Sequence, residues 1–576
     1  MITAYMQKGV PVFGEVPPTG LYAKEFSPPD KTFMQVLQAA KWSKPVLRAK
    51  VRGDPDPAVD DEVLERTEQE VKEGKAEGPY TEQEVDAIFG KHWAPARRVG
   101  LVQTAGVRPI DDFSEFGHNC TSETHEKVDL ATVDVCAGII KQYHDAVKAG
   151  GWVSVKMQNG ELCVGRLHGD YQEPERRRLK GRTVDLKRAF KQLATAPSMA
   201  PLTVVGVWHR QLGGVRYYLL KALPFGARNA VFTFGATARA LECILVGLFS
   251  VMTAQYVDDF PQVEPAECLK DGEDIMVEVL ELLGWQIKKE SGEAPKFEDK
   301  FTMLGVVMDV GHVHEGQLQV FNKPERGERI CREVEQIVRS GRVTLPAVEA
   351  LRGSLNFARA QCFGRCGAAS LQYLSEAVRN GSARLDDVAI EHLRFWPEYF
   401  AVARPRTLNF NDHRPPALIF TDGAEEECGV VVGGIMLDVA TEGKEFFGGA
   451  VESSKVEAWK AAGKKKRVIH QAEVYPAVVA LSVWGQRLKG RRIIAFVHND
   501  AAKEALIKGT SSSKASARLV TDFWRRAAEM ELYIWIERVA SIANPADAPS
   551  RRACPELVKA GYKQRKVSDM GVRSYE

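Results

Sequence analysis

The pentapeptide Tyr256-Val257-Asp258-Asp259-Phe260 sets two adjacent carboxylates inside an apolar stretch, between ALECILVGLFSVMTAQ and PQVEPAE. Other paired aspartates, Asp60-Asp61 and Asp386-Asp387, lie in polar, charged sequence and read as solvated. Asp258-Asp259 interrupts a segment that tends to be buried, and burying carboxylates is costly unless a metal or a cation pairs with them. A β-hairpin turn that presents carboxylates to Mg²⁺ meets both demands. A plain strand-turn is the bland alternative.

A two-metal site needs a further carboxylate from elsewhere in the chain, because two ions about 3.5–4 Å apart must bridge nucleophile and leaving group. Upstream, Thr183-Val184-Asp185-Leu186-Lys187-Arg188-Ala189-Phe190 reads as a strand end and a short turn or helix, with Asp185 at the junction. Between the two acidic segments, Leu223-Pro224-Phe225-Gly226-Ala227-Arg228-Asn229-Ala230 is a tight Pro/Gly turn feeding the apolar helix VFTFGATARAL.

Taken in order, these segments resemble motifs A, B and C of reverse transcriptases. LLGWQIKKESGEAPKF and FTMLGVVMD resemble that family's motifs D and E. Val107-Arg108-Pro109-Ile110-Asp111-Asp112-Phe113 resembles its fingers segment. The resemblance implies that Asp185, Asp258 and Asp259 hold two Mg²⁺ ions, with Mn²⁺ as a substitute. It implies that Arg108 contacts the incoming triphosphate. Phe190 would lie under the sugar and exclude a 2′-hydroxyl, and Phe225 and Gly226 would line the nucleotide pocket. The family also places a lysine near the pyrophosphate, and Lys288 and Lys289, before Glu290, are both candidates. The plain alternatives are a surface arginine for Arg108 and a core aromatic for Phe190.

A second set of acids follows residue 410. Ala417-Leu418-Ile419-Phe420-Thr421-Asp422-Gly423 is an apolar strand ending in Asp, and CGVVVGGIML and KEFFGGAV continue a meander. Glu473 lies in QAEVYPAVVALSVWGQRL, whose apolar residues have helical spacing, with Pro476 tolerable only near the helix start. RRIIAFV and LYIWIERV read as strands, and Asn544-Pro545-Ala546-Asp547 reads as an N-cap, a first-turn proline and an acid. This order resembles the RNase H fold of retroelements, including the ending ASIANPADAPSRR. The resemblance implies that Asp422, Glu473 and Asp547 form a second metal site for cleaving RNA–DNA hybrid. The plain alternative for Glu473 and Asp547 is an acid favoured by a helix terminus. Relatives carry an aspartate where this chain has His498, before Asn499 and Asp500. Imidazole is a poor Mg²⁺ ligand. Asp500 substitutes if the strand continues, since residues two apart share a face. The expectation is a nuclease weakened or shifted toward Mn²⁺.

At 576 residues the chain is long enough for three or more domains. The expected architecture is multidomain α/β (α+β): a right-hand polymerase of fingers, palm and thumb, followed by an RNase H-like mixed α/β domain. The boundaries read as an N-terminal region of unassigned role at 1–95, fingers and palm at 96–320, helical thumb and connection at 321–405, RNase H-like at 406–556, and a tail at 557–576. LRGSLNFARA and NPADAPSR resemble the DIRS-like retrotransposon group. A net charge of +2 leaves nucleic-acid binding to local patches, of which Arg176-Arg177-Arg178-Leu179-Lys180-Gly181-Arg182 and Lys464-Lys465-Lys466-Arg467 are candidates. The ten cysteines are scattered, with only Cys362 and Cys366 close together, and read as reduced thiols of an intracellular protein in cytoplasm or nucleus. The start MITAYMQKGV is not a signal peptide, and the apolar run near 240–254, interrupted by Glu242, is too short for a membrane span. Expected partners are an RNA template, a DNA primer, RNA–DNA hybrid, dNTPs and other element-encoded proteins, with no membrane. The competing reading is a non-catalytic nucleic-acid-binding scaffold, decayed or recruited by a host.

Overall fold

Several helices begin or end where the sequence carries capping signals. In the computed structural model Thr81 accepts from the Glu84 amide, and Glu84 returns a bond to the Thr81 backbone, starting the Glu82–Phe89 helix. Thr344 caps Leu345–Ala358, and Gly341, at φ +60°, ends Pro324–Ser340. The structure describes residues 2–575 except 104–105, 129, 131, 148–151, 158, 172, 290–293, 342, 363–364, 382–383, 403, 428, 463–466 and 569. Glu290 and Lys464–Lys466 therefore lie outside the described residues. Two units form: residues 1–140 with 168–298, and residues 141–167 with 299–576.

In the first unit a five-stranded sheet runs Ala76–Tyr80, Gly214–Leu220, Val204–His209, Pro95–Gln103, Gly106–Asp112. The helices Phe33–Lys50 and Pro57–Lys72 pack on it, so the N-terminal region is built into this unit. Thr19 and Gly20 anchor the chain further by donating three hydrogen bonds, of 2.6–2.8 Å, to the Glu126 carboxylate. Beneath the sheet, Arg98 is fully buried. Its guanidinium makes a two-point contact with Asp111 (2.7 and 3.1 Å) and reaches Thr67 and Glu70, and Lys191 also pairs with Glu70. A separate pair of antiparallel strands, Leu179–Asp185 and Asp259–Pro265, carries the acids.

The Arg228–Phe249 helix starts earlier than the apolar run suggested, and by length and composition it is long enough to cross a membrane. Half of its apolar window is buried within the protein, with Ala230, Phe234, Ala238, Leu241 and Leu245 in the core. The core accounts for that face of the helix, while Val231, Val246, Leu248 and Phe249 are exposed.

The second unit contains a sheet in the order Tyr533–Arg538, Arg492–Val497, Ala417–Glu426, Gly429–Asp438, Gly443–Val451. The last three are an antiparallel meander, and Arg492–Val497 pairs in parallel with both Ala417–Glu426 and Tyr533–Arg538. Ile469–Trp484, largely apolar apart from its first turns, is buried against this sheet. The C-terminal residues extend the fold. Lys563–Gln564 and Val572–Ser574 pair with Gly443–Val451, and Arg565 donates to Glu445 at 2.8 and 2.6 Å. They cover an edge that would otherwise be open to pairing with other chains. Residues 324–402 are mainly helical, as their sequence suggested. The buried Cys366 thiol donates to the Trp524 carbonyl.

Candidate functional site

The YVDDF segment closes as a two-residue hairpin. Tyr256 and Asp259 exchange backbone hydrogen bonds of 2.9 Å in both directions. Val257 at the tip has φ +53°. A β-branched residue rarely adopts this conformation, which stores about 1–3 kcal/mol where the surroundings enforce it. The Gln255 side chain holds the tip by donating to the Val257 carbonyl (2.9 Å). The strand leaving the hairpin pairs Asp259 directly with Asp185. The Leu186 amide donates to the Asp258 carbonyl (3.1 Å), so the turn after Asp185 is tied to the hairpin tip.

These three carboxylates are half-buried and repel one another. Burial, then Asp258 and Asp185, push Asp259 up to about 6 despite Lys288. Burial and Asp185 raise Asp258, with Arg108 opposing, and burial raises Asp185 against Lys288. Lys288 lies 3.7 Å from Asp185, and its amide donates to the Asp185 carbonyl (2.7 Å). Lys289 turns away to Glu281 (3.1 Å). Three acids against so little positive charge offer oxygen donors of the kind divalent cations take, though their ligand atoms do not gather as closely as those of Glu15, Glu123 and His125.

Gln192 is a feature that the sequence reading missed. Its amide donates to the carbonyls of Lys187 (2.8 Å) and Gln286 (2.9 Å) and accepts from the Gln286 amide (2.7 Å). It thereby pins the segment carrying Lys288 beside Asp185. A glutamine in a short 3₁₀ turn gives no such signal in sequence, since its partner Gln286 lies 94 residues away along the chain.

The structure groups the four nucleotide-pocket candidates. Arg108 stacks over the Phe225 ring (4.1 Å), and Phe225 meets Phe190 edge-on (5.7 Å). Phe190 stacks on Phe234 (4.6 Å), which is fully buried in the apolar helix. Gly226, next to Phe225, accepts a hydrogen bond from the Asn119 side chain (3.0 Å). The basic run 176–182 is mostly neutralised. Arg176 faces Asp170, Glu173 and Glu267, Arg178 faces Glu175, and Arg182 is buried against Gln262 and Phe297.

The second acid cluster forms where helices meet the meander. Pro476 lies well inside the Ile469–Trp484 helix, not at its start. It has no N–H for the Ala472 carbonyl one turn back. That carbonyl faces Gly423, where a Cβ would stand only 2.0 Å from the oxygen. A proline-freed carbonyl against a glycine lets the helix approach the strand closely and sets Glu473 beside Asp422. On the neighbouring strand Gly433, the register partner of Asp422, leaves room for the short Asp547–Ser550 helix.

His498 is wedged into this cluster. Its Nδ1 lies 3.1 Å from Asp422 and its Nε2 3.2 Å from Glu473. Contacts with Asp422 and Glu473 push the imidazole up to about 10, against burial. Burial raises Glu473. Asp422 stays below its ordinary value despite burial, because His498, Ser550 and Arg551 stabilise its charge. The Ser550 hydroxyl donates to Asp422 (2.6 Å), and Arg551 pairs with Asp547 (2.7 Å).

Two details differ from expectation. The strand ends at Val497, and Asn499 caps a helix beginning at Asp500. Asp500 consequently points elsewhere and pairs with Arg538 (2.8 Å). Asn544 is not the cap of the last acidic helix, which starts at Asp547. Its amide donates to the Thr421 carbonyl (3.1 Å).

A third group also escaped the sequence reading. Glu15 and Glu123 are strand partners, and His125 lies 3.4 and 3.3 Å from them. Strand register alone explains that meeting.

No family model and no curated protein matches the chain. Two solved structures are loosely similar. The foamy viral protease-reverse transcriptase in complex with dsDNA is 13% identical, with a TM-score of 0.39 over 92% of this chain and 91% of that one. Its dRH form, also with dsDNA, is 12% identical, with a TM-score of 0.41 over 91% and 75%. Likeness at this level does not transfer residue roles.

Proposed function

We propose that the chain is an RNA-directed DNA polymerase that works at Asp185, Asp258 and Asp259. The observation that carries this reading is the pairing of Asp185 with Asp259 across two strands, with Asp258 adjacent and far too little positive charge nearby. Asp185, Asp258 and Asp259 would hold the divalent cations, which when bound supply the charge for activating a primer 3′-hydroxyl and stabilising pyrophosphate. The 3′-oxygen bonds to the α-phosphorus, the bond to the β-phosphate oxygen breaks, and the hydroxyl proton passes to solvent. Lys288, exposed beside Asp185, would neutralise the departing pyrophosphate. Arg108, braced on Phe225, would bind the triphosphate. Phe190, fixed by Phe234, would form the wall that rejects a 2′-hydroxyl.

The test is primer extension on an RNA template with dNTPs and Mg²⁺ or Mn²⁺. Extension by the native chain, lost in both Asp258→Ala and Asp259→Ala, supports the polymerase. A folded chain that binds primer-template without extending it supports the scaffold reading, which the closed state of the His498 cluster also favours.

A further inference from the structure

We propose that the second acid cluster takes no divalent metal, and that this half of the chain does not hydrolyse nucleic acid. The RNase H-like arrangement implies a metal between Asp422 and Glu473, and there the imidazole of His498 stands instead. A Mg²⁺ ion needs its ligand oxygens about 2.0–2.1 Å away in near-octahedral geometry. With a ring between them, Asp422 Oδ1 and Glu473 Oε1 cannot both reach one ion. Both ring nitrogens face carboxylates, so neither is turned toward a metal position. The other acids are also engaged: Asp422 Oδ2 by Ser550, Asp547 by Arg551 and Asp500 by Arg538. Within the buried part of the cluster Glu473 Oε2 and His498 Nδ1 are left without a hydrogen-bond partner. One buried carboxylate oxygen beside an imidazole falls short of a Mg²⁺ site.

The cluster instead acts as an internal tie. His498, just past the Arg492–Val497 strand, bridges the Ala417–Glu426 strand to the Ile469–Trp484 helix, and Ser550 ties in the last acidic helix. This assignment does not depend on polymerase activity. If the polymerase reading also holds, its RNA–DNA product must be consumed by an RNA-hydrolysing or strand-displacing activity supplied elsewhere.

The test uses the full chain carrying Asp258→Asn and Asp259→Asn, so that the first site is silent. Mn²⁺ binding is followed by calorimetry, and an RNA–DNA hybrid is incubated with Mg²⁺ or Mn²⁺. With His498 intact, no hybrid is cut, and any residual Mn²⁺ binding is unchanged by Asp422→Asn. Adding His498→Asp creates a new Mn²⁺ site and a Mn²⁺-dependent rise in Tm. Hybrid cleavage with His498 intact, or Mn²⁺ binding that Asp422→Asn abolishes, overturns the proposal. So does a folded His498→Asp chain that gains no Mn²⁺ site. If His498→Asp does not fold, His498→Asn takes its place under the same criterion. Primer extension by the native chain, measured separately, keeps failure of the polymerase reading distinct from failure of this one.

Discussion

Asp185 and Asp259 face each other as register partners, and the Lys288 ammonium, 3.7 Å from Asp185, is the cation they share. Without metal this pairing is a destabilising feature held in place by the rest of the unit, a common condition of catalytic sites. Asp259→Asn therefore raises the stability of the chelator-treated protein. A displacement of about two pKa units corresponds to roughly 3 kcal/mol, reduced to about 1–2 kcal/mol because the group is partly solvated. Urea unfolding measures the gain, and primer extension is lost in the same variant.

The pH dependence of that gain has a definite sign. Asp259 is pushed up to about 6 in the folded chain, so the folded state binds the proton more tightly than the unfolded one. Stability conferred by protonation is lost as pH rises from the ordinary carboxylate range through about 6. In chelator the advantage of Asp259→Asn is full above pH ~6 and disappears toward pH ~4. An advantage that grows on acidification rules this out.

Gly423→Ala and Gly353→Ala have opposite effects. A Cβ at Gly423 meets the Ala472 carbonyl at 2.0 Å, whereas one at Gly353, in the Leu345–Ala358 helix, meets nothing within 4 Å. The first separates helix from strand and costs about 3 kcal/mol or more, within the range of overpacking and backbone strain combined. The second stabilises by about 0.5–1 kcal/mol through helix propensity. Thermal unfolding of the two variants side by side checks both signs.

Arg98→Met leaves Asp111 without its buried partner and Glu70 with Lys191 alone. Breaking such a network by removing one member costs about 3–5 kcal/mol. A change in unfolding free energy below about 1 kcal/mol, the range of a surface ion pair, contradicts the assignment.

Phe190→Ala removes the ring that Phe234 fixes in place. In an active polymerase the selectivity for dNTPs over rNTPs falls by about 10- to 200-fold, the value of a lost apolar contact. Single-nucleotide incorporation with each substrate measures this, and unchanged selectivity places Phe190 in the core alone.

The acids and their order were readable from local sequence. A charged pair inside an apolar run, a Pro/Gly turn before an apolar helix, and Thr81 and Thr344 at helix starts each carry their signal within a few residues, because hairpins, turns and caps are local structures. So was the His498 departure, as a change of residue type. The sequence did not show what His498 does, since its partners, Asp422 and Glu473, lie 76 and 25 positions back in the chain. Nor did it show that Lys288 rather than Lys289 meets Asp185, or that Gln192 holds that segment. Those outcomes depend on strand register and on close helix–strand approach, as at Gly423 and Ala472. Only tertiary packing decides them, because side chains remote in sequence acquire fixed distances when the core closes.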